Sequence, residues 1–214
     1  MTYRLYTYFR SSASYRVRMA LNYKALPFEY VAVHLMKGEQ LQPDYQSRNP
    51  MSQLPTLELP IEGTTRLVSQ SIAILELLEE LHPEPALLPR DPFLRARTRE
   101  LAELINAGIQ PHQNLTTRKR LDALQANLGT ESSRFHNESG LAAYEARTKE
   151  TAGRFSVGDM PTFADLCLVP QIFSARGLDI DVDARFPLLA AIDRACAEIP
   201  AFAAAHPSKQ PDAS

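Results

Sequence analysis

The sequence predicts an α/β domain with a mixed sheet, followed by a domain made only of helices. Three observations support this fold class. Residues 1–82 alternate between strand-like and helix-like stretches, which is typical of a small α/β unit. A proline-rich segment then interrupts the alternation. After that segment every periodic stretch is typical of a helix, and no second set of strands follows.

The predicted elements of the first part have the order β-α-β followed by β-β-α. The strands are aromatic-rich or alternating in pattern, the helices are amphipathic, and Glu62-Gly63 forms a turn between the last two strands. The predicted elements are a strand over 3–8, a helix over 12–24, a strand over 28–33, a polar segment over 37–47, strands over 56–59 and 65–68, and a helix over 71–81.

A stiff extended linker separates the two parts, because residues 83–92 contain four prolines. We therefore predict domains at 1–83 and 93–214. Helices are predicted over 93–109, 134–151 and 187–198. Pro111 is expected to kink or interrupt the continuation of the first of these. Thr162, with Asp165 three residues later, predicts a capping box at the start of a further helix, before the apolar run 166–169.

Composition excludes several function classes. A net charge of −2 without a run of basic residues argues against a nucleic-acid surface. No apolar stretch approaches the ~20 residues that span a bilayer, and the N-terminus has a strand pattern, not a signal-peptide pattern. The two cysteines, Cys167 and Cys196, lie in apolar helical contexts without metal-ligand spacing, so we expect buried, reduced thiols in a cytoplasmic protein without a metal.

Serines mark the point where the first strand leads into the first helix. Ser11 and Ser12 lie at this junction, where free backbone N–H groups and the helix dipole favour an anion such as a thiolate or carboxylate. Gln70 and Ser71 form a second helix start with a hydroxyl in the same domain. Leu54, directly before Pro55, offers backbone groups to a peptide-like ligand.

In the order and spacing of these stretches the chain resembles the glutathione transferase superfamily, and within it the zeta class of maleylacetoacetate and maleylpyruvate isomerases. The resemblance covers nearly the whole chain and implies a thioredoxin-like N-terminal domain followed by an all-helical glutathione transferase C-terminal domain. The stretches that carry it are RSSASYRVRMAL at 10–21, NPMSQLPTL at 49–57, QSIAILELLEE at 70–80, GIQPHQNL at 108–115, GDMPTFADLCLVPQ at 158–171 and HPSKQPD at 206–212.

The resemblance implies glutathione as cofactor. Ser11 would hydrogen-bond the sulfur and stabilise its thiolate, with Ser12 beside it. The other implied contacts are Gln40 to the glycine end, Leu54 to the cysteinyl backbone, Gln70 and Ser71 to the γ-glutamyl group, and Gln110 and Asn114 to the sulfur and the second substrate.

Arginines are the candidates for binding a dicarboxylic substrate. Arg10 lies in the strand-to-helix turn beside the proposed sulfur site. Arg176 lies one residue before Gly177, the position where the family usually has a substrate-binding arginine. Arg16 and Arg18 are on a helix face, where arginines are commonly solvated or ion-paired. A second departure from the family is Ala13 in place of a cysteine.

The implied activity is glutathione-dependent cis–trans isomerisation of a maleyl-type diacid in aromatic catabolism, by a homodimer in which the N-terminal domain of one subunit faces the helical domain of the other. The thiolate would add to the double bond, allow rotation and leave again, and the protein would lower the thiol pKa and stabilise the developing charge. Two alternatives stay open: a general glutathione transferase or dehalogenase, and a non-catalytic binding module with the same fold.

Overall fold

A computed structural model describes residues 3–213 as two compact units. One unit combines the residues before Ala86 with those after Glu198, and the other comprises Ala86–Glu198. The division near Ala86 falls inside the proline-rich segment. The peptide bonds Leu54–Pro55 and Glu84–Pro85 are cis.

The first unit is built on a four-stranded mixed sheet. Its strands are β1 (Tyr3–Thr7), β2 (Phe28–Ala32), β3 (Thr56–Ile61) and β4 (Thr64–Ser69). Their spatial order is β2-β1-β3-β4, with β1 parallel to β2 and with β3 antiparallel to both β1 and β4. The predicted mixed sheet is confirmed.

Three helices of this unit lie between or after the strands. They are α1 (Ser12–Tyr23), α2 (Pro43–Arg48) and α3 (Ser71–Leu81). The sequence predicts α1 and α3, whereas α2 forms within the segment predicted only as polar. In α1 every residue from Ser14 to Leu21 is buried, so this helix is enclosed on all sides and not only on one face.

The second unit is helical throughout its described elements. These are α4 (Pro92–Asn106), α5 (Gln110–Gln113), α6 (Leu115–Leu124), α7 (Leu128–Thr148), α8 (Phe163–Arg176), α9 (Val182–Arg185) and α10 (Pro187–Ala197). Cys167 and Cys196 are buried and form no disulfide, as predicted. Over residues 3–213, no helix has the length and apolar character needed to cross a bilayer.

The predicted boundaries of α7 are wrong, and α6 was missed. α7 begins six residues before the predicted start, at Leu128, because its first turn packs directly on α6. A Cβ on Gly129 would lie 2.6 Å from the backbone oxygen of Arg118, so only glycine permits this approach. This contact is not visible as a periodic pattern.

The last α-helix, α11 (Pro200–Ala204), belongs to the first unit. It packs on α1: the Asn22 side chain donates to the Ala201 carbonyl, and the rings of Tyr23 and Phe202 meet edge to face. The predicted domain 93–214 therefore differs from the structure at its C-terminal end. Burial of Phe202 against α1 is the physical reason.

Thr162 and Asp165 interact at the start of α8 as predicted. The buried Asp165 carboxylate accepts from the Thr162 N–H (2.8 Å), the Thr162 hydroxyl (3.0 Å) and the Ser156 N–H (2.8 Å). Burial raises the pKa of Asp165, and the hydrogen bonds from Ser156 and Thr162 oppose that rise. One carboxylate thus joins the N-terminus of α8 to the loop before it.

We expect Thr162→Ala to lower the free energy of unfolding by about 1 kcal/mol, the usual effect of losing an N-cap hydroxyl. Asp165→Ala should lower it by about 3 kcal/mol or more, because it leaves buried N–H donors without an acceptor. Denaturant titration of both variants measures the difference. Equal effects of the two substitutions would show that Asp165 stabilises the protein only through its capping interaction with Thr162, and that its hydrogen bond from Ser156 adds nothing.

Candidate active site

The β1-to-α1 junction is a tight turn closed by a hydrogen bond from the Ser11 N–H to the Tyr8 carbonyl (3.0 Å). Ser11 is the N-cap of α1, and its hydroxyl oxygen accepts from the Ser14 N–H (3.2 Å). A hydroxyl that accepts one bond still has a proton to donate. Ser11 and Ser12 are half-buried, so the helix N-terminus combines a hydroxyl donor, the positive end of the dipole and access for an anion.

Arg18 holds this turn from inside the protein. Its guanidinium donates to the Tyr8 carbonyl (3.2 Å), the Phe9 carbonyl (3.1 Å), the Thr7 hydroxyl (3.1 Å) and the Ala205 carbonyl (3.3 Å). Burial lowers the pKa of Arg18 to about 10, so it remains charged near neutral pH. The sequence predicts solvated or ion-paired side chains for Arg16 and Arg18; each is only 1% exposed, so neither is solvated, because α1 is enclosed on all sides.

The N-terminus of α3 is the second predicted ligand-binding element in this unit. Gln70 has φ 73°, a conformation that non-glycine residues rarely adopt and that is often found at binding sites. Ser71 is buried, and its oxygen accepts from Arg16 Nη1 (3.0 Å). Arg16 therefore couples the first turn of α3 to α1 and places a buried cation beside the Ser71 hydroxyl.

Gln40 and Leu54 complete the predicted set in this unit. Gln40 is 9% exposed, and its Oε1 atom has no hydrogen-bond partner among the described residues. Leu54 packs in one cluster with Tyr8 and Tyr45, against which Phe9 also lies. The residue before Pro55 thus shares a hydrophobic cluster with the segment that leads into Ser11.

Gln110 and Asn114 lie in the helical unit, around the short helix α5. Gln110 is its first residue and is half-buried, whereas Asn114 is the N-cap of α6 and accepts from the Thr116 N–H (3.1 Å). Between them, His112 stacks on His136 at 3.6 Å, and burial, together with the nearby His136, lowers the pKa of His112. The predicted ligand roles of Gln110 and Asn114 stay predictions.

A network of side-chain amides fixes α5 against the neighbouring helices. Gln113 and Gln171 exchange hydrogen bonds (3.0 and 3.2 Å), and Asn137 donates to Gln113 Oε1 (2.9 Å). Asn137 and Gln171 are fully buried. Because unpaired buried amides are costly, this network favours one position of α5 over others.

The two candidate substrate arginines differ in their surroundings. Arg10 is exposed in the turn before Ser11. Arg176 is held by Asp193 (2.6 Å) and Asp183 (3.3 Å), and burial raises the pKa of Asp193 while Arg176 opposes that rise. The guanidinium of Arg176 already has two carboxylate partners, which gives no support to its predicted role with a substrate.

Comparison with protein families matches both parts of the chain. Residues 10–81 match the model of the glutathione S-transferase N-terminal domain, and residues 131–200 match that of the glutathione S-transferase C-terminal domain. The chain belongs to the glutathione S-transferase family. Within the family it is a zeta-class member, as the sequence motifs predict.

Relatives match over nearly the whole chain. Maleylacetoacetate isomerase of Rattus norvegicus is 42% identical, covering 97% of this chain and 94% of the relative. Maleylpyruvate isomerase of a Ralstonia species is 41% identical, covering 99% and 100%. A crystal structure of maleylacetoacetate isomerase from Anaeromyxobacter dehalogenans, with glutathione bound in the active site, has a TM-score of 0.93 and 51% identity, and covers 100% of this chain and 98% of that chain. The same enzyme was also solved with dicarboxyethyl glutathione and citrate in the active site.

Sequence reasoning missed the role of two residues in holding the Ser11 turn. One is Arg18, whose position in the otherwise apolar run 17–21 was a signal that the whole helix is enclosed. The other is Asp212, in the C-terminal motif, whose carboxylate accepts from the Phe9 N–H (3.1 Å). No local pattern connects residue 212 with residue 9.

We expect Arg18→Lys to lower the free energy of unfolding by about 2 kcal/mol. A lysine ammonium cannot reproduce the fork of guanidinium donors, so buried carbonyl groups lose their partners. Thermal or denaturant unfolding measures the effect, with Arg66→Lys on the exposed strand β4 as the matched control. A loss no larger than that of the control would mean that the Arg18 hydrogen bonds contribute little net stability.

Proposed function

We propose that this protein is a glutathione-dependent cis–trans isomerase of a maleyl-type diacid, either maleylacetoacetate or maleylpyruvate. The observation that carries the proposal is the Ser11 hydroxyl at the N-terminus of α1, on a turn held by Arg18. The zeta-class membership of the chain and the names of its relatives support the same reaction.

The residues of the first unit are suited to glutathione. The buried Oε1 atom of Gln40, which lacks a partner among the described residues, can accept from a donor near the glycine end. Ser71, with Arg16 behind it, can bind the γ-glutamyl carboxylate. The exposed Gln70 side chain lies directly before Ser71, where it can reach the same group.

Ser11 stabilises the charged form of the sulfur. A free thiol has a pKa near 8.5, so only a few per cent is ionised at neutral pH. Each unit of pKa lowering needs about 1.4 kcal/mol, and a hydrogen bond to a charged acceptor supplies ~1.5–3 kcal/mol. The hydroxyl proton of Ser11, with a smaller share from the helix dipole, can therefore lower the thiol pKa by one to two units.

When bound, glutathione supplies a thiolate that adds to the cis double bond and leaves once the carbon–carbon bond has rotated. The residues of the protein hold the sulfur at Ser11, fix the tripeptide at Gln40, Gln70 and Ser71, and attract the diacid. Arg10, exposed beside Ser11, is the cation suited to a substrate carboxylate. Arg176 is not assigned this role, because Asp193 and Asp183 already bind it.

The ligands of the Anaeromyxobacter dehalogenans enzyme agree with this substrate class. Dicarboxyethyl glutathione carries two carboxylates on the group attached to its sulfur, and citrate is itself a polycarboxylate. A site that accommodates two carboxylates next to the glutathione sulfur suits a maleyl diacid.

The decisive experiment is to assay maleylacetoacetate and maleylpyruvate side by side and to measure glutathione before and after turnover. An isomerase returns glutathione unchanged, so many turnovers should occur on a catalytic amount. Stoichiometric consumption of glutathione would indicate a transferase or dehalogenase instead. Absence of glutathione binding in a calorimeter would indicate a non-catalytic binding module.

We expect Ser11→Ala to lower kcat about 10- to 100-fold and to raise the pKa of bound glutathione by one to two units, as the loss of one charge-assisted hydrogen bond requires. Thiolate absorbance in the ultraviolet follows that pKa. Glutathione affinity should change little, because Gln70, Ser71 and Leu54 are untouched.

Ser12→Ala is the matched control for this substitution and should have a much smaller effect on kcat. If Ser11→Ala leaves both kcat and the thiol pKa unchanged, the assignment of Ser11 as thiolate stabiliser is wrong.

We further propose a cytoplasmic homodimer that serves the breakdown of aromatic compounds, with the N-terminal domain of one subunit against the helical domain of the other. The two buried cysteines, which form no disulfide, are compatible with a reducing compartment. Several large apolar side chains are exposed, and a second subunit could cover them: Met51, Leu67, Phe93, Leu124 and Phe135.

Light scattering at micromolar protein concentration should therefore give twice the 23.9 kDa chain mass. A monomeric mass would contradict the homodimer. It would not bear on the isomerase proposal, which the substrate assay tests.

A further inference from the structure

The peptide groups on both sides of Phe9 are held by charged side chains. Its N–H donates to Asp212 Oδ2 (3.1 Å), and its carbonyl accepts from Arg18 Nη2 (3.1 Å). Phe9 and Arg10 are the central residues of the turn that the hydrogen bond from Ser11 to Tyr8 closes. The placement of the Ser11 hydroxyl therefore depends on how firmly this turn is fixed.

The Asp212 carboxylate is itself anchored to the sheet. Its second oxygen, Oδ1, accepts from the Tyr30 hydroxyl (2.5 Å), and Tyr30 lies on β2 in register with Leu5 of β1. Burial and the hydrogen bond to Asp212 raise the pKa of Tyr30, so the phenol keeps its proton and remains a donor. One carboxylate thus joins the Phe9 N–H to the neighbouring strand.

The segment that carries Asp212 is fastened independently of this carboxylate. Gln210 donates from Nε2 to the carbonyls of Ala204 (3.0 Å) and His206 (2.9 Å), and Pro207 is buried. Arg18 also binds the Ala205 carbonyl. The same guanidinium therefore contacts both the Ser11 turn and the segment that brings Asp212 to it.

We propose that Asp212 is a positioning residue for the thiolate site, which holds the Phe9–Ser11 turn so that the Ser11 hydroxyl meets the sulfur. This role rests on the proposed function. Asp212 acts through the Phe9 backbone and has no contact with the reacting atoms. Loss of its carboxylate should alter thiolate stabilisation more than it alters binding of the tripeptide.

The test compares Asp212→Ala with the wild type and with Lys209→Ala, an exposed residue of the same segment. A displacement of about 1 Å near reacting atoms can cost up to 100-fold in rate, so we expect kcat to fall about 10-fold in Asp212→Ala. The pKa of bound glutathione should rise, whereas the affinity for S-methylglutathione, which has no thiol to ionise, should change less than about 2-fold. Asp212→Asn keeps an oxygen acceptor of the same reach and should restore most of kcat.

A purely structural role would lower the melting temperature without moving the thiol pKa. An unchanged thiol pKa and kcat in folded Asp212→Ala, or equal changes in Lys209→Ala, would overturn the proposal. If Asp212→Ala does not fold, Tyr30→Phe takes its place, because it removes the hydroxyl that holds the carboxylate. It should shift kcat and the thiol pKa in the same directions, and no shift in either would overturn the proposal.

Amide hydrogen exchange of the peptide that covers residues 8–15, measured without ligand, separates this proposal from the proposed function. Faster exchange in Asp212→Ala or Tyr30→Phe than in Lys209→Ala is expected, and equal exchange in all of them would overturn the role of Asp212 in fixing the turn. A wild-type protein without isomerase activity would refute the proposed function and leave the exchange result unaffected.

Discussion

The first unit depends on the buried guanidinium of Arg18. Its donors join three segments that are distant in sequence: the end of β1 at Thr7, the turn at Tyr8 and Phe9, and the segment after α11 at Ala205. A buried charge is tolerated only when its hydrogen bonds are made. The cation therefore requires all three segments to be in place, and it fixes the turn from which α1 and Ser11 begin.

The second unit is organised by the opposite charge. The buried Asp165 carboxylate accepts hydrogen bonds from the N–H groups of Ser156, in the loop, and of Thr162, the N-cap of α8. The buried Arg18 guanidinium, by contrast, donates hydrogen bonds to carbonyls. Gln171 lies on the same helix, and its neutral side-chain amide hydrogen-bonds with those around it. These hydrogen bonds hold α5 in place. In both units, then, apolar packing encloses a few polar groups that determine which backbone segments meet.

The features that the sequence predicted well depend on interactions between near neighbours. The capping pair at α8 spans three residues, and the strands and the α1 start follow from periodicity and from the serine at the N-cap position. α6 and the early start of α7 were not predicted, because the close approach at Gly129 depends on a contact between helices. The burial of Arg18 and the contact of Asp212 with Phe9 span still longer separations, so no local pattern contains them.

The candidate site shows the same division. Ser11, Gln70 and Ser71 were predicted as ligand contacts because each lies at a helix start, where the chemistry of free N–H groups is local, and their ligand roles stay predictions. The ion pairs of Arg176 were not foreseen, since Asp193 lies on another helix. A motif therefore predicts which residue types surround a ligand, but the availability of a charged side chain depends on its partners in the folded chain.

The return of the segment after Glu198 to the first unit has a consequence for biosynthesis. Domains generally fold as units during translation, beginning with the N-terminal one. Here the ribosome must first complete the entire helical unit before it delivers Ala205 and Asp212. Until then Arg18 of the nascent α1 lacks one of its acceptors, the Ala205 carbonyl. The Phe9 N–H likewise lacks its acceptor, the Asp212 carboxylate. A chain that stalls late in translation should therefore have a nearly complete sheet, while the turn that carries Ser11 is not yet fixed.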